Sequence, residues 1–238
     1  FRRISDAVSR DWTKAALLAL FLAALCASGA AKTDTDFHYL DPGQIDLTVL
    51  LPPPPDFGSA QERDDEEEVA AEAGARNSSQ FARAKAASQR SVFFFARSIG
   101  PEFNPSRFPS TDVFFARVGS DVEKLVDLAK TYWSRPRPNG AVKKHTSYPS
   151  GHAAFAASMA ILLAQLVPCK RDQIFGQART FAENRIILGL HYPSDIAAGW
   201  TAGTLAVFAM MRNPAFERDI AATKAELQSI CPAQSSSR

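Results

Sequence analysis

Three short stretches, far apart in a chain of 238 residues, each place charged or titratable side chains where a helix must start or stop. They run from Lys130 to Pro138 (KTYWSRPRP), from Pro149 to His152 (PSGH) and from Arg185 to Asp195 (RIILGLHYPSD). Proline has no backbone donor and pushes the residue before it out of the helical region, so Pro138, Pro149 and Pro193 act as breaks. A fold that uses these groups together has to gather helix ends from three regions of the chain. Between them they carry three cations, two histidines, a Ser-Gly turn and a carboxylate, a set suited to holding and transferring a phosphoryl group.

In the first stretch, a helix ending near Trp133 and followed by an extended turn brings Lys130 and Arg137 to one mouth. Lysine offers a compact charge and arginine a planar fork matched to phosphate oxygens. Arg135 competes with Arg137 for that assignment, and taken alone the segment reads equally well as a solvated helix end. The second stretch is more pointed. Tyr148-Pro149 favours an extended approach, Ser150 can cap a helix opening near His152, and Gly151 lets successive backbone N–H groups face an anion. In the third, Arg185 closes one helix and His191 lies in the Gly189 to Pro193 connection. Asp195 starts the next helix, from which its carboxylate can reach back to the imidazole and fix its tautomer. Asp195 also reads as a plain helix cap. His38 and His145 lack comparable support and are peripheral.

The remaining pattern predicts a mainly α, single-domain helical bundle. The acidic run Asp64 to Glu68 reads as the solvated first turn of a helix, with a calcium site as the lesser alternative, and alanine-rich helix-forming sequence follows through Ala87. Further helices are expected over Ala82 to Ser98, Thr111 to Trp133, Gly151 to Leu166, Arg171 to Leu188, Ser194 to Met211 and Phe216 to Ile230. Val122, Leu125, Val126 and Leu128 recur at helical spacing, and Phe155, Met159, Leu162 and Leu163 can line another buried face. Phe93, Phe94 and Phe95 would cover a broad apolar arc of a helix, for packing or for a subunit interface. Strand alternation is scarce. Ile45 to Leu51 could form a strand only with a partner the chain hardly offers; with Pro52 to Pro55 it reads as a Pro-rich arm, residues 37–58, laid over the helices.

The start of the chain has its own logic. Arg2, Arg3, Arg10 and Lys14 precede an apolar run from Ala15 to Ala27 and then Ser28, Gly29 and Ala30. That is the pattern of an export signal over residues 1–30, cleaved after Ala30. Its loss takes four of the 27 basic and two of the 25 acidic residues, leaving 23 of each over residues 31–238. A neutral chain without a concentrated basic surface is not built for nucleic acid as its primary role. The apolar segments Ser150 to Pro168 and Ser194 to Met211 are short and alanine-rich, which favours packed helices over membrane spans, so no membrane contact is expected once the signal is gone. The exported chain keeps Cys169 and Cys231. An oxidising compartment permits a disulfide between them, and two isolated cysteines do not make a structural zinc site; spacing alone leaves the bond open.

In order and spacing, the three stretches resemble the signature of the type 2 phosphatidic acid phosphatase (PAP2) superfamily, which includes the vanadium-dependent haloperoxidases. Within it the chain is similar to the bacterial class A nonspecific acid phosphatases over roughly residues 37–230, including DPGQIDLTVLLPPPP, SYPSGH and MRNPAF. The resemblance implies a helical bundle of the PAP2/haloperoxidase type. It implies Lys130, Arg137, Ser150, Gly151 and Arg185 as phosphate contacts, His191 as nucleophile, His152 as general acid and Asp195 as the carboxylate supporting His191. It also implies a periplasmic or secreted acid phosphatase, often a homodimer, that takes phosphate monoesters without metal or other cofactor and works through a phosphohistidine. Fixed cations already answer the phosphate charge, and an alcohol in place of water would receive the phosphoryl group. Two departures stand out: Asn184 where the family has serine, and only ten residues between Pro138 and Pro149. A vanadate-dependent haloperoxidase would use the same kind of cationic pocket. A noncatalytic exported phosphate binder would use the cations but leave both histidines and Asp195 without a task.

Overall fold

The structure, a computed structural model, describes residues 36–140 and 147–231. The export signal, its cleavage point and His145 lie outside the described residues. The elements are α1 (Leu47–Leu50), α2 (Ala60–Ala75), α3 (Ser78–Ala86), a 3-10 turn (Val92–Phe95), α4 (Ala96–Ile99), α5 (Pro109–Trp133), α6 (Gly151–Leu166), a second 3-10 turn (Pro168–Lys170), α7 (Arg171–Ile187), α8 (Pro193–Met210) and α9 (Pro214–Leu227). No strand occurs among the described residues, so the fold is mainly α. None of these helices is long and apolar enough to cross a membrane.

The centre of the fold is α6. Its sequence, GHAAFAASMAILLAQL, is apolar on nearly every side, and a helix of that kind is stable in water only when surrounded. It packs against α5, α7 and α8, and Phe155, Met159, Leu162 and Leu163 are all buried. The approach of α8 is the closest. A Cβ on Gly199 would stand 2.3 Å from the carbonyl oxygen of Ser150, and one on Gly203 would stand 2.2 Å from that of Ala154. Both glycines lie one turn apart on the face of α8 that meets α6, so the two backbones touch where side chains would otherwise intervene.

Helix α5 shows why spacing alone is an imperfect guide. Val122, Leu125 and Val126 are buried, but Leu128 falls at the edge of their stripe and is 58% exposed. With no side chain of its own to cap it, α5 borrows Glu226 from α9, whose carboxylate accepts the backbone N–H groups of Ser110 and Thr111, each at 2.9 Å. The helix stops in a left-handed residue, Ser134 (φ 49°). Buried Asp121, halfway along, accepts backbone N–H groups from His38, Tyr39 and Leu40 at 2.8, 2.7 and 3.0 Å. Those contacts dock the N-terminal arm, where Tyr39, Leu40, Ile45, Leu47 and Leu51 are buried. Within the arm, residues 47–50 form a single helical turn rather than a strand, because Asp46 caps it through the Thr48 N–H.

Two expected helices are cut differently. The alanine-rich run breaks at Asn77, which forms a capping box with Gln80 and restarts the chain as α3. The helix expected over Ala82 to Ser98 is interrupted after Ala86, where polar residues 88–91 form a loop. Ser91 caps the 3-10 turn that carries the three phenylalanines. Phe95 is fully buried there, while Phe93 meets Phe103 and Phe94 meets Phe181, each at 4.9 Å between ring centres. Cys169 and Cys231 are bonded, with Cα atoms 5.9 Å apart, and join the turn before α7 to the chain after α9.

Gly203→Ala is expected to cost about 1–3 kcal/mol through overpacking and to lower the melting temperature by roughly 3–10 °C. Gly176→Ala on α7, where a Cβ meets nothing within 4 Å, should leave it unchanged or slightly raised. Thermal unfolding of the two variants side by side checks the contrast.

Candidate active site

The three stretches meet. Lys130, Arg137, His152, Arg185 and His191 face a single cavity of about 270 Å³, with Gly151 at its wall. The C-terminal end of α5 supplies Lys130, the turn beyond it Arg137, the last turn of α7 Arg185 and the connection after it His191. The first turn of α6 supplies Gly151 and His152. A helix start presents backbone N–H groups that lack intrahelical acceptors, which favours a negative charge in front of it. Ser150 stands apart from the cavity wall. It is fully buried, its Oγ caps α6 by accepting the Ala153 N–H at 3.3 Å, and its own N–H donates to the carbonyl of Asp195 at 2.9 Å.

Asp195, the third residue of α8, has a completely buried side chain. Oδ2 accepts the Tyr192 N–H at 2.9 Å and lies 3.4 Å from Nδ1 of His191, while Oδ1 receives Nη1 of Arg135 at 2.7 Å. The carboxylate is therefore both a helix cap and the neighbour of the imidazole, and the two readings of it coincide. With Nδ1 turned toward Asp195, Nε2 faces Arg137, whose Nη1 lies 3.2 Å away. On the second histidine, Nε2 lies 3.1 Å from the carbonyl oxygen of Ser88, and the ring stacks on Phe181.

Three residues whose place the sequence did not indicate complete the arrangement. Arg135 belongs to Asp195 rather than to the cavity. Its Nη2 also donates to Asp65 at 2.9 Å, its Nη1 to Ser194 at 2.8 Å, and the guanidinium lies 4.1 Å from the Tyr192 ring centre. Asp65 corrects the picture of a uniformly solvated acidic run. It is buried, pairs with Arg135, and accepts both the backbone N–H of Ser194 at 3.0 Å and that residue's hydroxyl. Ser88, in the loop after α3, accepts Nη1 of Arg185 on its Oγ at 2.7 Å as well as offering its carbonyl to His152. The polar interruption ASQRS inside an alanine-rich run was the available signal for that loop. Asn184 faces a separate groove beside Gln80 and Phe94, so the departure from the family serine does not alter the cavity wall.

The electrostatics are those of a site crowded with positive charge. Burial, then Arg137, brings Lys130 down to about 8. Burial, then Arg137 and Arg90, brings Arg185 to about 10. Burial is also the largest influence on His191, held at about 4 with Lys130 and Arg137 adding to it against the opposing pull of Asp195. His152 is held at about 2 by burial, Arg185 and Arg90. Burial alone would raise the Asp195 carboxyl, but His191, Arg135 and the Tyr192 N–H keep it below the usual range. Among the described residues, the buried Nε–H of Arg185 has no hydrogen-bond acceptor. A tetrahedral oxyanion would satisfy that donor and relieve the repulsion at once. Among the described residues, no group of three His, Cys, Asp or Glu side chains converges where a metal ion could sit.

Residues 111–219 match the family model described as PAP2 superfamily. The chain is 27% identical over 154 residues to a non-specific acid phosphatase of Salmonella typhi, covering 56% of this chain and 59% of that one. It is 30% identical over 116 residues to an acid phosphatase of Zymomonas mobilis, covering 43% and 44%. Matches to curated relatives thus span well under two thirds of their length. The fold is shared with a transmembrane PAP2 type phosphatidylglycerolphosphate phosphatase from Bacillus subtilis, at a TM-score of 0.50 and 20% identity, over 66% of this chain and 87% of that one.

Asp65→Ala leaves Arg135 with Asp195 as its remaining carboxylate but strips Nη2 and the Ser194 N–H of their acceptor, and is expected to cost about 1–3 kcal/mol, against less than about 0.5 kcal/mol for a solvated acid; denaturant unfolding checks it. A second expectation concerns pH. His191 titrates near 4 folded and near 6.5 unfolded, so between these values the unfolded chain binds more protons and stability falls as the pH drops. The melting temperature should decline from pH 7 to pH 5, and His191→Gln should lessen that decline.

Proposed function

We propose that the chain, whose residues 111–219 match the PAP2 superfamily model, is a metal-independent acid phosphatase that hydrolyses phosphate monoesters through a phosphohistidine on His191. The observation that carries this reading is the joint presence of the His191–Asp195 pair, His152 and three cations around one cavity. A phosphate binder needs only the cations.

Asp195 favours the tautomer with the proton on Nδ1, which leaves the Nε2 lone pair for phosphorus. The phosphoryl group displaces the Arg137 contact at that nitrogen. As the Nε2–P bond forms, the bond to the leaving oxygen breaks in line with it, and Lys130, Arg137, Arg185 and the N–H groups at the start of α6 hold the equatorial oxygens. His152 gives its proton to the leaving oxygen. Water then attacks phosphorus, the N–P bond breaks, and the water proton passes to His152. An alcohol in the place of water receives the phosphoryl group instead.

Without substrate, His152 is neutral at ordinary pH, because burial, Arg185 and Arg90 hold it near 2. A bound phosphate ester reverses the local charge and draws a proton onto the ring, so the acid is assembled by the substrate. His191, with a value near 4, keeps its lone pair in mildly acidic solution. This combination favours turnover on the acid side of neutrality. Secretion to the periplasm or beyond, and a homodimer, belong to the same reading.

Purified protein is expected to hydrolyse p-nitrophenyl phosphate at pH 5 equally well with and without a chelator. His191→Ala should lower kcat at least about 1000-fold while orthophosphate still competes for the cavity. Near-normal turnover by that variant would overturn the nucleophile, and loss of activity with chelator would overturn metal independence.

A further inference from the structure

One cation at the cavity has no part in the steps above. Arg90 comes from the loop after α3, outside residues 111–219, and lines the cavity together with Glu123 of α5. Its Nη2 is paired with the Glu123 carboxylate, and the two side chains are 30% and 48% exposed, which puts the pair at the rim. Its Nη1 overlooks the anion turn, 3.7 Å from where a Cβ on Gly151 would stand. His191, by contrast, is buried. In-line attack from a buried nucleophile sends the leaving oxygen the opposite way, toward the opening and the neighbourhood of Arg90. The same guanidinium acts on His152, the residue assigned to that oxygen, and helps hold it in its neutral form.

We propose that Arg90 and Glu123 form a specificity-determining subsite for an anionic group carried by the leaving group, a carboxylate or a second phosphate close to the ester oxygen. The inference rests on the phosphatase reading and names a substrate class for it. An arriving anion takes the guanidinium from Glu123 and gains a planar, two-pronged donor. A neutral alcohol leaves the pair closed. Glu123 is thus the internal competitor of the substrate, and removing either partner acts in opposite directions.

Three substrates test the subsite: glycerol 3-phosphate, with a neutral leaving group; 3-phosphoglycerate, which adds a carboxylate; and inorganic pyrophosphate, which adds a phosphate. The readout is kcat/KM for each anionic substrate divided by that for glycerol 3-phosphate. Arg90→Gln is expected to lower these ratios about five- to tenfold, and Glu123→Gln to raise them. A shift in only one ratio supports the subsite and identifies which anion it takes. Ratios within about twofold of wild type in both variants overturn it. If Arg90→Gln fails to fold, Glu123→Gln decides alone, a rise supporting the subsite and no rise overturning it. A wild-type chain that hydrolyses neither p-nitrophenyl phosphate nor any of the three overturns the phosphatase reading and the subsite with it, whereas one that hydrolyses p-nitrophenyl phosphate but none of the three, or all three with unmoved ratios, overturns the subsite alone.

Discussion

The buried carboxylate of Asp195 is the point on which the three stretches depend. Taking a charge out of water costs several kcal/mol unless partners replace the solvent, and the partners here come from separate regions. Arg135 arrives from the first stretch, and Tyr192 and His191 from the third, while the carbonyl of the same residue takes the N–H of Ser150 from the second. The ion is compensated by the first and third stretches together, and the backbone carbonyl of the same residue ties in the second. Gly199 and Gly203 make it possible, since any side chain there would hold α8 away from the start of α6. Asp65 then neutralises the far side of Arg135, so the charge chain ends in a carboxylate supplied by α2.

The cavity inverts the usual preference of protein interiors. Buried polar groups normally find partners within the fold, yet here, among the described residues, the Arg185 Nε–H is left without one and two imidazoles are kept neutral among cations. Such a site is destabilising in itself, and an oxyanion supplies what is missing. The groups are held by Ser88, Arg135 and Asp65, none of which faces the cavity. Local instability is therefore confined to the cavity while its frame is well compensated.

Legibility in the sequence followed the range of the signal. Helix α6 was readable to its ends because its apolar character is continuous and Pro149-Ser150 marks its start. Lys130, Gly151, His152, Arg185 and His191 stood out because their spacing around breaks is short-range information, whereas Arg90 and Glu123, which line the same cavity, did not. Asp65 was not, since five consecutive acids look alike and only the distant Arg135 distinguishes one of them. Arg135 and Arg137 were ambiguous for the same reason. They sit two residues apart, and the turn that sends one to Asp195 and the other to His191 depends on partners some 60 residues away. Ser88 is harder still, because half of its part is played by a carbonyl, which every residue has. The Phe93 to Phe95 run was legible as apolar but not as a 3-10 turn, a choice made by the Ser91 cap and by rings on other helices.

The capping of α5 by Glu226 and the docking of the arm on Asp121 share a trait. Residues 38–40 wait for an acceptor more than 80 positions later, Ser110 and Thr111 wait for one at 226, and the Tyr39 hydroxyl finds Asp219 at 2.6 Å across 180 positions. The arm is thus held by α5, and both are tied down by α9. During synthesis the N–H groups that open α5 and the Tyr39 hydroxyl leave the ribosome before their acceptors in α9 are made, and the bundle can lock only after α9 has emerged. Contacts of such long range make folding slow and nearly all-or-none, so a chain cut short before α9 would lose the order of its first segment as well as its last.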